Sequence, residues 1–362
     1  MIRDRALNTI YEKVVASERL TFEDGLKLFT SRDLLGVGYL ANIVRERKNE
    51  NRAYYIFNQH INYSNVCING CKFCAFGKEK GAPGAYEMSL EEIYLKVKER
   101  LDEPITEIHI VGGLHPELPF SYYTDMLQGI KELRPDVHIQ AFTVVELVHM
   151  AEIYSHSLEE TLLELKKAGL GSIPGGGAEV FSSRIRSELC PEKLSPEGWI
   201  NASKTAHRVG LLTNATMLYG HIENYEERVA HFISLREAQD ETGGFITFIP
   251  LAFHPHNTHL EHLHGTSGFD DLKMVAVARL MLDNFPHIKS FWIMIGPKMA
   301  QLALSFGADD MDGTVIEEKI THMAGAQTAQ SLPRDELVRL IREAGREPAE
   351  RDTLYNRVGS EL

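Results

Sequence analysis

The stretch "EIHIVGGLHPELPFSYYTDMLQGIKELRPDVHIQAF", residues 107–142, sets two short apolar runs on either side of an amphipathic one. Glu107–Val111 and His138–Phe142 have the length of buried strands, and SYYTDMLQGIKEL between them carries helical apolar spacing. A strand, a helix and a second strand in so short a span is the crossover unit that makes neighbouring strands parallel. The pattern recurs. Further strands are expected at Tyr54–Phe57, Gly171–Pro174, Leu212–Leu218, Ile246–Leu251, Phe291–Ile295 and near Ala308–Gly313. The helical patterns among them are SLEEIYLKVKERL, LEETLLELKKAGL, PEGWINASKTAHRVG, NYEERVAHFISLREAQDETG, DDLKMVAVARLMLDNF and GPKMAQLALSFG, several opening on Ser or Asp and several closing on Gly.

Eight such units predict an α/β fold of the (β/α)8 TIM-barrel type, with a doubly wound open sheet as the rival from the same alternation. The expected organisation is an N-terminal helical extension over 1–50, the barrel over 51–325, and a charged helical extension over 326–362 packed on its outside. No repeat, low-complexity tract or linker divides the chain.

Bulk properties limit the function classes. The chain has 362 residues, 43% of them hydrophobic, enough for a sizeable core. Its formal charge of -13 argues against a nucleic-acid surface, which needs clustered Lys and Arg. No run approaches the length of a membrane helix, and the N-terminus lacks the apolar centre of a signal peptide. The expectation is a soluble cytoplasmic protein with no nucleic-acid or membrane partner.

Chemistry concentrates in "NYSNVCINGCKFCAF", residues 62–76, which holds three of the four cysteines. In a barrel, this loop after the first strand lies at the C-terminal face of the strands, where active sites are built. Thiolates select zinc, copper(I) or iron–sulfur clusters. Structural zinc is normally four-coordinate, so closure here would need Cys190 or a histidine. Three thiolates on a four-iron cluster would leave one iron open to a small molecule.

Cys67-x-x-x-Cys71-x-Phe73-Cys74 resembles the signature of the radical S-adenosylmethionine (radical SAM) enzymes. The resemblance implies a 4Fe–4S cluster on Cys67, Cys71 and Cys74, with S-adenosyl-L-methionine chelated at the open iron and cleaved to a 5′-deoxyadenosyl radical by one electron. It implies an external electron donor such as flavodoxin or ferredoxin. It also assigns cofactor roles: Phe73 beside the adenine, Gly112 and Gly113 for the methionine amino group, Glu179 of "SIPGGGAEVF" for the ribose. "NATMLYGHIEN" (214–224) would pass near the adenine.

Across nearly the whole chain, "INYSNVCINGCKFCAF", "GGLHPELPFSYYTDML", "GLGSIPGGGAEV" and "LREAQDETGGFITFIPLAFHP" resemble the futalosine-pathway radical enzymes of menaquinone biosynthesis. The C-terminal third is similar to the subgroup that adds the radical to the enol ether of 3-[(1-carboxyvinyl)oxy]benzoate. That reaction gives 6-amino-6-deoxyfutalosine, methionine and released carboxylate. The alternative within the pathway is the later cyclase, which tends to have Gln-Pro where this chain has His254-Pro255. The two substrate carboxylates call for cations or donors, and His254 (also expected to orient a reacting group), Asn257, Arg184 and Lys298 are the candidates by loop position. The remaining histidines of "PLAFHPHNTHLEHLHG" are expected on a solvated loop.

Overall fold

A computed structural model describes residues 2–359. Ten strands follow in chain order: β1 (Arg52–Ile56), β2 (Asn58–Ile61), β3 (Glu107–Ile110), β4 (His138–Ala141), β5 (Ser172–Ile173), β6 (Leu212–Tyr219), β7 (Phe245–Ala252), β8 (His287–Ile288), β9 (Asp310–Gly313) and β10 (Glu347–Arg351). Strands β2 to β8 form one parallel seven-stranded sheet in sequential order, and β10-β1-β9 form a second sheet, also parallel. Single parallel bridges Lys289↔Asp310 and Gln59↔Ile316 join the two sheets. Since β1 and β2 are one strand interrupted at Phe57, eight strand positions succeed one another round the molecule, as the alternation predicts.

The helices between strands begin where the sequence supplies caps. Ser89 with Glu92, Thr143 with Glu146, Ser157 with Glu160 and Asn224 with Glu227 each form a reciprocal capping box. Outward strand residues such as Ile108, Ile110, Ile139 and Ile173 are buried against these helices, which supplies the apolar core. The inward face is polar. Asn58, His60, Glu107, His109, Gln140, Asn214 and Thr216 line the barrel interior and leave it open as a cavity.

Two expectations need correcting. Phe291–Ile295 is not a strand: Trp292–Ile295 is a short helix, and the strand is the two-residue β8 just before it. The apolar run is legible in the sequence, but Trp292 opens a helix whose indole N–H donates to Gly313 O at 2.8 Å, which takes the run out of the sheet. The C-terminal extension is only partly helical. After the helix Arg334–Glu343, β10 pairs with β1 over five residues and becomes part of the fold's base. No helix among the described residues is long and apolar enough to cross a membrane.

Candidate active site

The three motif cysteines lie on the loop following β2, at the C-terminal end of the strands. The loop is tied down by backbone bonds: Cys67 N–H donates to Lys78 O (2.9 Å), Ile68 N–H to Leu114 O (3.1 Å) and Lys72 N–H to Leu189 O (2.9 Å). Cys74 Sγ accepts from the Gly77 N–H at 3.3 Å. Burial pushes the Cys71 thiol up to about 12, the adjacent Lys193 ammonium working against it, and burial raises the Cys67 thiol as well. All four cysteines are free. Among the described residues no three His, Cys, Asp or Glu side chains converge on one ion position. Three thiolates on one loop suit a cluster in which each thiolate binds its own iron.

Gly112 and Gly113 are required by packing. A Cβ on Gly113 would stand 2.2 Å from Val66 O and 2.9 Å from Cys67 Cβ, and one on Gly112 would strike the Tyr63 ring at 2.6 Å. The β3 loop therefore lies directly against the cysteine loop. The Gly112 N–H already has a partner, the Glu146 Oε1 at 3.0 Å. Glu146 also accepts from Tyr63 Oη (2.9 Å) and from Thr143 N–H and Oγ1 (2.7 and 2.8 Å). Burial lifts its carboxyl to about 7 despite these donors.

Glu179 sits in the left-handed backbone region at φ 50° and is buried. Its Oε1 accepts from Lys193 Nζ at 2.5 Å, and the same ammonium stands 5.4 Å from the centre of the Phe73 ring. Burial opposes the Lys193 charge, but Glu179, helped by Cys71, outweighs it and holds the ammonium above its ordinary value. Phe73, Glu179 and Lys193 thus form one charged, aromatic wall beside Cys71. Cys190, distant in sequence, lies close enough to raise the Cys71 thiol slightly but does not line the cavity.

The cavity below this wall holds about 330 Å³. His254 lines it, with Nε2 2.9 Å from Met294 O and its pKa lowered by burial. The other expected substrate contacts lie elsewhere. Arg184 is half exposed and bound to Glu227 (2.7 Å) and Ile222 O (2.9 Å). Asn257 is exposed, its Nδ2 donating to Met323 O at 2.9 Å, and Lys298 is exposed on the helix Pro297–Ala303. None of the three lines the cavity. Loop position after a strand was their only support; Arg184 and Lys298 instead lie exposed on the helices Ser183–Leu189 and Pro297–Ala303, and Asn257 is exposed on its loop. Gly220 and His221 are likewise absent from the wall; both backbone N–H groups bind Glu223.

Sequence reasoning missed Glu146, Lys193, Lys289, Asp312 and Glu318, all on the cavity wall. The T-x-x-E spacing of Thr143 and Glu146 announced a helix cap but not a site. Lys289 was detectable as the one charge in the otherwise apolar and small "IKSFWIMIG". Lys193 and Glu318 sit among other charges and gave no signal.

Residues 61–233 match the radical SAM superfamily, and residues 242–360 match the CofH/MqnC C-terminal region. The chain is 48% identical to an aminodeoxyfutalosine synthase of Thermus thermophilus, covering 99% of this chain and 97% of that one. The chain belongs to the radical SAM superfamily. Other relatives are a 5-amino-6-(D-ribitylamino)uracil–L-tyrosine 4-hydroxyphenyl transferase of Archaeoglobus fulgidus (44% identical, 83% of this chain and 88% of that one) and a cyclic dehypoxanthine futalosine synthase of Halalkalibacterium halodurans (39%, 97% and 94%). Among solved structures, methylornithine synthase superposes with a TM-score of 0.75 at 20% identity, over 94% of this chain and 97% of that one, which supports the radical SAM barrel as the fold. Membership in the superfamily implies a 4Fe–4S cluster and S-adenosylmethionine, and the three thiols lining the cavity, free of disulfides, fit that pair.

Proposed function

We propose that this protein is an aminodeoxyfutalosine synthase, joining the 5′-deoxyadenosyl group of S-adenosylmethionine to 3-[(1-carboxyvinyl)oxy]benzoate in menaquinone biosynthesis. The observation that carries the reading is the 48% identity running through both the barrel and the C-terminal third, against 39% for the cyclase. Identity also falls against the transferases, to 44% over 83% of the chain for that of Archaeoglobus fulgidus and to 38% over 96% for that of Methanoculleus marisnigri.

Cys67, Cys71 and Cys74 would hold the cluster, which supplies the electron that cleaves the sulfonium. Phe73 and Glu179 would meet the adenosyl portion, Phe73 beside the adenine and Glu179 at the ribose hydroxyls, and Lys193 ties the two side chains into one wall. Glu146 holds the Gly112–Gly113 turn in position for the methionine amino group and serves as a positioning residue. His254, favoured in its neutral form by burial and donating Nε2–H to Met294 O, lines the cavity and can accept a hydrogen bond at its free Nδ1. Apolar Val111, Leu218, Leu251 and Phe291 exclude water around the reacting carbon, which must lie within about 3–3.5 Å of the adenosyl C5′. A one-electron donor from outside the chain would reduce the cluster before cleavage, and free thiols suit a reducing cytoplasm.

The test is a substrate panel on anaerobically reconstituted protein: the enolpyruvyl benzoate, dehypoxanthine futalosine, and 5-amino-6-(D-ribitylamino)uracil with tyrosine. Consumption of the first alone supports the reading. Turnover of either of the others in its place refutes it.

A further inference from the structure

The cavity is graded along its depth. On β3, Val111 stands above His109 and Glu107; on β6, Leu218 above Thr216 and Asn214; after β8, Phe291 above Lys289. Inward residues repeat every second position, so the residue nearer the C-terminal end of each strand is the one nearer the cysteines. An apolar belt thus separates the cysteine mouth from a floor of Asn58, His60, Glu107, His109, Lys289 and Asp312.

That floor holds a cation in reserve. Among the described residues lining the cavity, Lys193 and Lys289 are the two lysines, and no arginine joins them. Lys193 is at the mouth, engaged by Glu179. Lys289 is buried, and Asp312 Oδ1 at 3.1 Å is its one side-chain hydrogen-bond partner among the described residues. An ammonium has three donors, so two remain. Glu107 is already held by Asn58 Nδ2 at 3.1 Å, and the His60 and His109 rings stack on each other with centroids 4.5 Å apart. Asp312 Oδ1 takes up one of the three ammonium donors and leaves the others to a ligand that enters the cavity.

We propose that Lys289 binds the ring carboxylate of the substrate at the cavity floor and thereby selects a benzoate over a plain phenyl ether. The inference rests on the reaction proposed above. In that substrate one carboxylate is attached to the vinyl group under attack and must stay near the mouth. The other lies across the aromatic ring, so the ring occupies the apolar belt and its carboxylate reaches the floor. A buried, charge-assisted pair of this kind gives specificity as well as affinity.

The experiment compares 3-[(1-carboxyvinyl)oxy]benzoate with 2-phenoxyacrylate, which lacks the ring carboxylate, in wild type and Lys289→Met. Wild type should form adduct from the phenyl compound with kcat/KM lower by about 10²-fold or more. In Lys289→Met the two compounds should be used almost alike, a collapse of discrimination that general damage to the barrel would not produce. Should that variant fail to fold, Lys289→Met/Asp312→Asn replaces both members of the pair and poses the same comparison. Full discrimination retained in the variant, or no discrimination in wild type, overturns the assignment while leaving the reaction intact. Absence of any adduct from the benzoate in wild type would instead overturn the reaction itself.

Discussion

Gly113 has no room for a methyl group, and the atoms it would strike are the backbone carbonyl of Val66 and the Cβ of Cys67. Gly113→Ala must therefore shift the cysteine loop, and iron retained after anaerobic reconstitution should fall severalfold. Gly70, on the same loop with nothing within 4 Å of its absent Cβ, is the control, and Gly70→Ala should keep its iron. Equal retention by both variants would separate the β3 turn from the metal site. Each of Cys67→Ala, Cys71→Ala and Cys74→Ala should lose the cluster, whereas Cys190→Ala should keep it, since Cys190 is near the site but off the cavity wall. Glu146 adds a titration. Its folded carboxyl, near 7, lies above the ordinary 4.5, so the folded state binds the extra proton between those values. Stability should then fall as pH rises from about 4.5 to 7 and level off above, by up to about 3 kcal/mol, and Glu146→Gln should flatten that slope in pH-dependent melting curves. At this scale the sequence was most informative where chemistry fixes spacing. The three cysteines and Phe73 are local, so their pattern survives in one dimension. Glu146, Lys193 and Lys289 reach the site from three different strand–helix units, and only folding brings them together.

At the scale of elements, alternation identified seven of the eight barrel strand positions and the helices between them, because buried parallel strands and amphipathic helices have different apolar periods. The exception is instructive. "HIKSFWIMIG" reads as one apolar run, yet only His287–Ile288 pairs with β7, and Trp292 turns into a helix whose indole N–H donates to Gly313 O at 2.8 Å. Periodicity could not see that the lysine had to enter the barrel and the tryptophan had to leave the strand. A second element closes over the mouth: Glu318 and Thr321 line the cavity, and His322 binds Glu318 through Nδ1 and Thr328 O through Nε2 at 3.0 Å. The Glu318 hydrogen bond holds His322 up at about 9, against an ordinary 6.5. The stability this contributes is complete below about pH 6.5 and is lost as pH rises through 9. Amide exchange across residues 321–326 should accelerate over that window in wild type by more than intrinsic base catalysis, and in His322→Gln by that catalysis alone. Exchange independent of pH chemistry beyond the intrinsic base catalysis in both proteins would remove the pair from control of the mouth.

For the molecule as a whole, β10 binds the C-terminal third to the barrel. Arg351 at its end is buried and its Nε donates to the buried Asp310 of β9 at 2.5 Å, while Arg279 pairs with the neighbouring Asp309. Removing one partner of such a pair strands the other charge, so Arg351→Met should cost about 3–5 kcal/mol in denaturant unfolding, with partial recovery in Arg351→Met/Asp310→Asn. A loss within 0.5 kcal/mol, the usual size of a surface substitution, would show that the base is not held this way. The sequence announced a charged tail, but a strand contributed from the far end of the chain has no local signature, since its pairing with β1 is set almost three hundred residues earlier. The polar barrel interior and its charged floor were hidden for the same reason. The central claim concerns what the assembled cavity does with the radical, and the fate of one carbon tests it most directly. Protein reconstituted under anaerobic conditions, given S-adenosylmethionine labelled at C5′ and 3-[(1-carboxyvinyl)oxy]benzoate, should carry the label into an adenosyl-containing adduct with one methionine released per product and little free 5′-deoxyadenosine. Label recovered in 5′-deoxyadenosine, with no labelled adduct by mass spectrometry, would contradict the account.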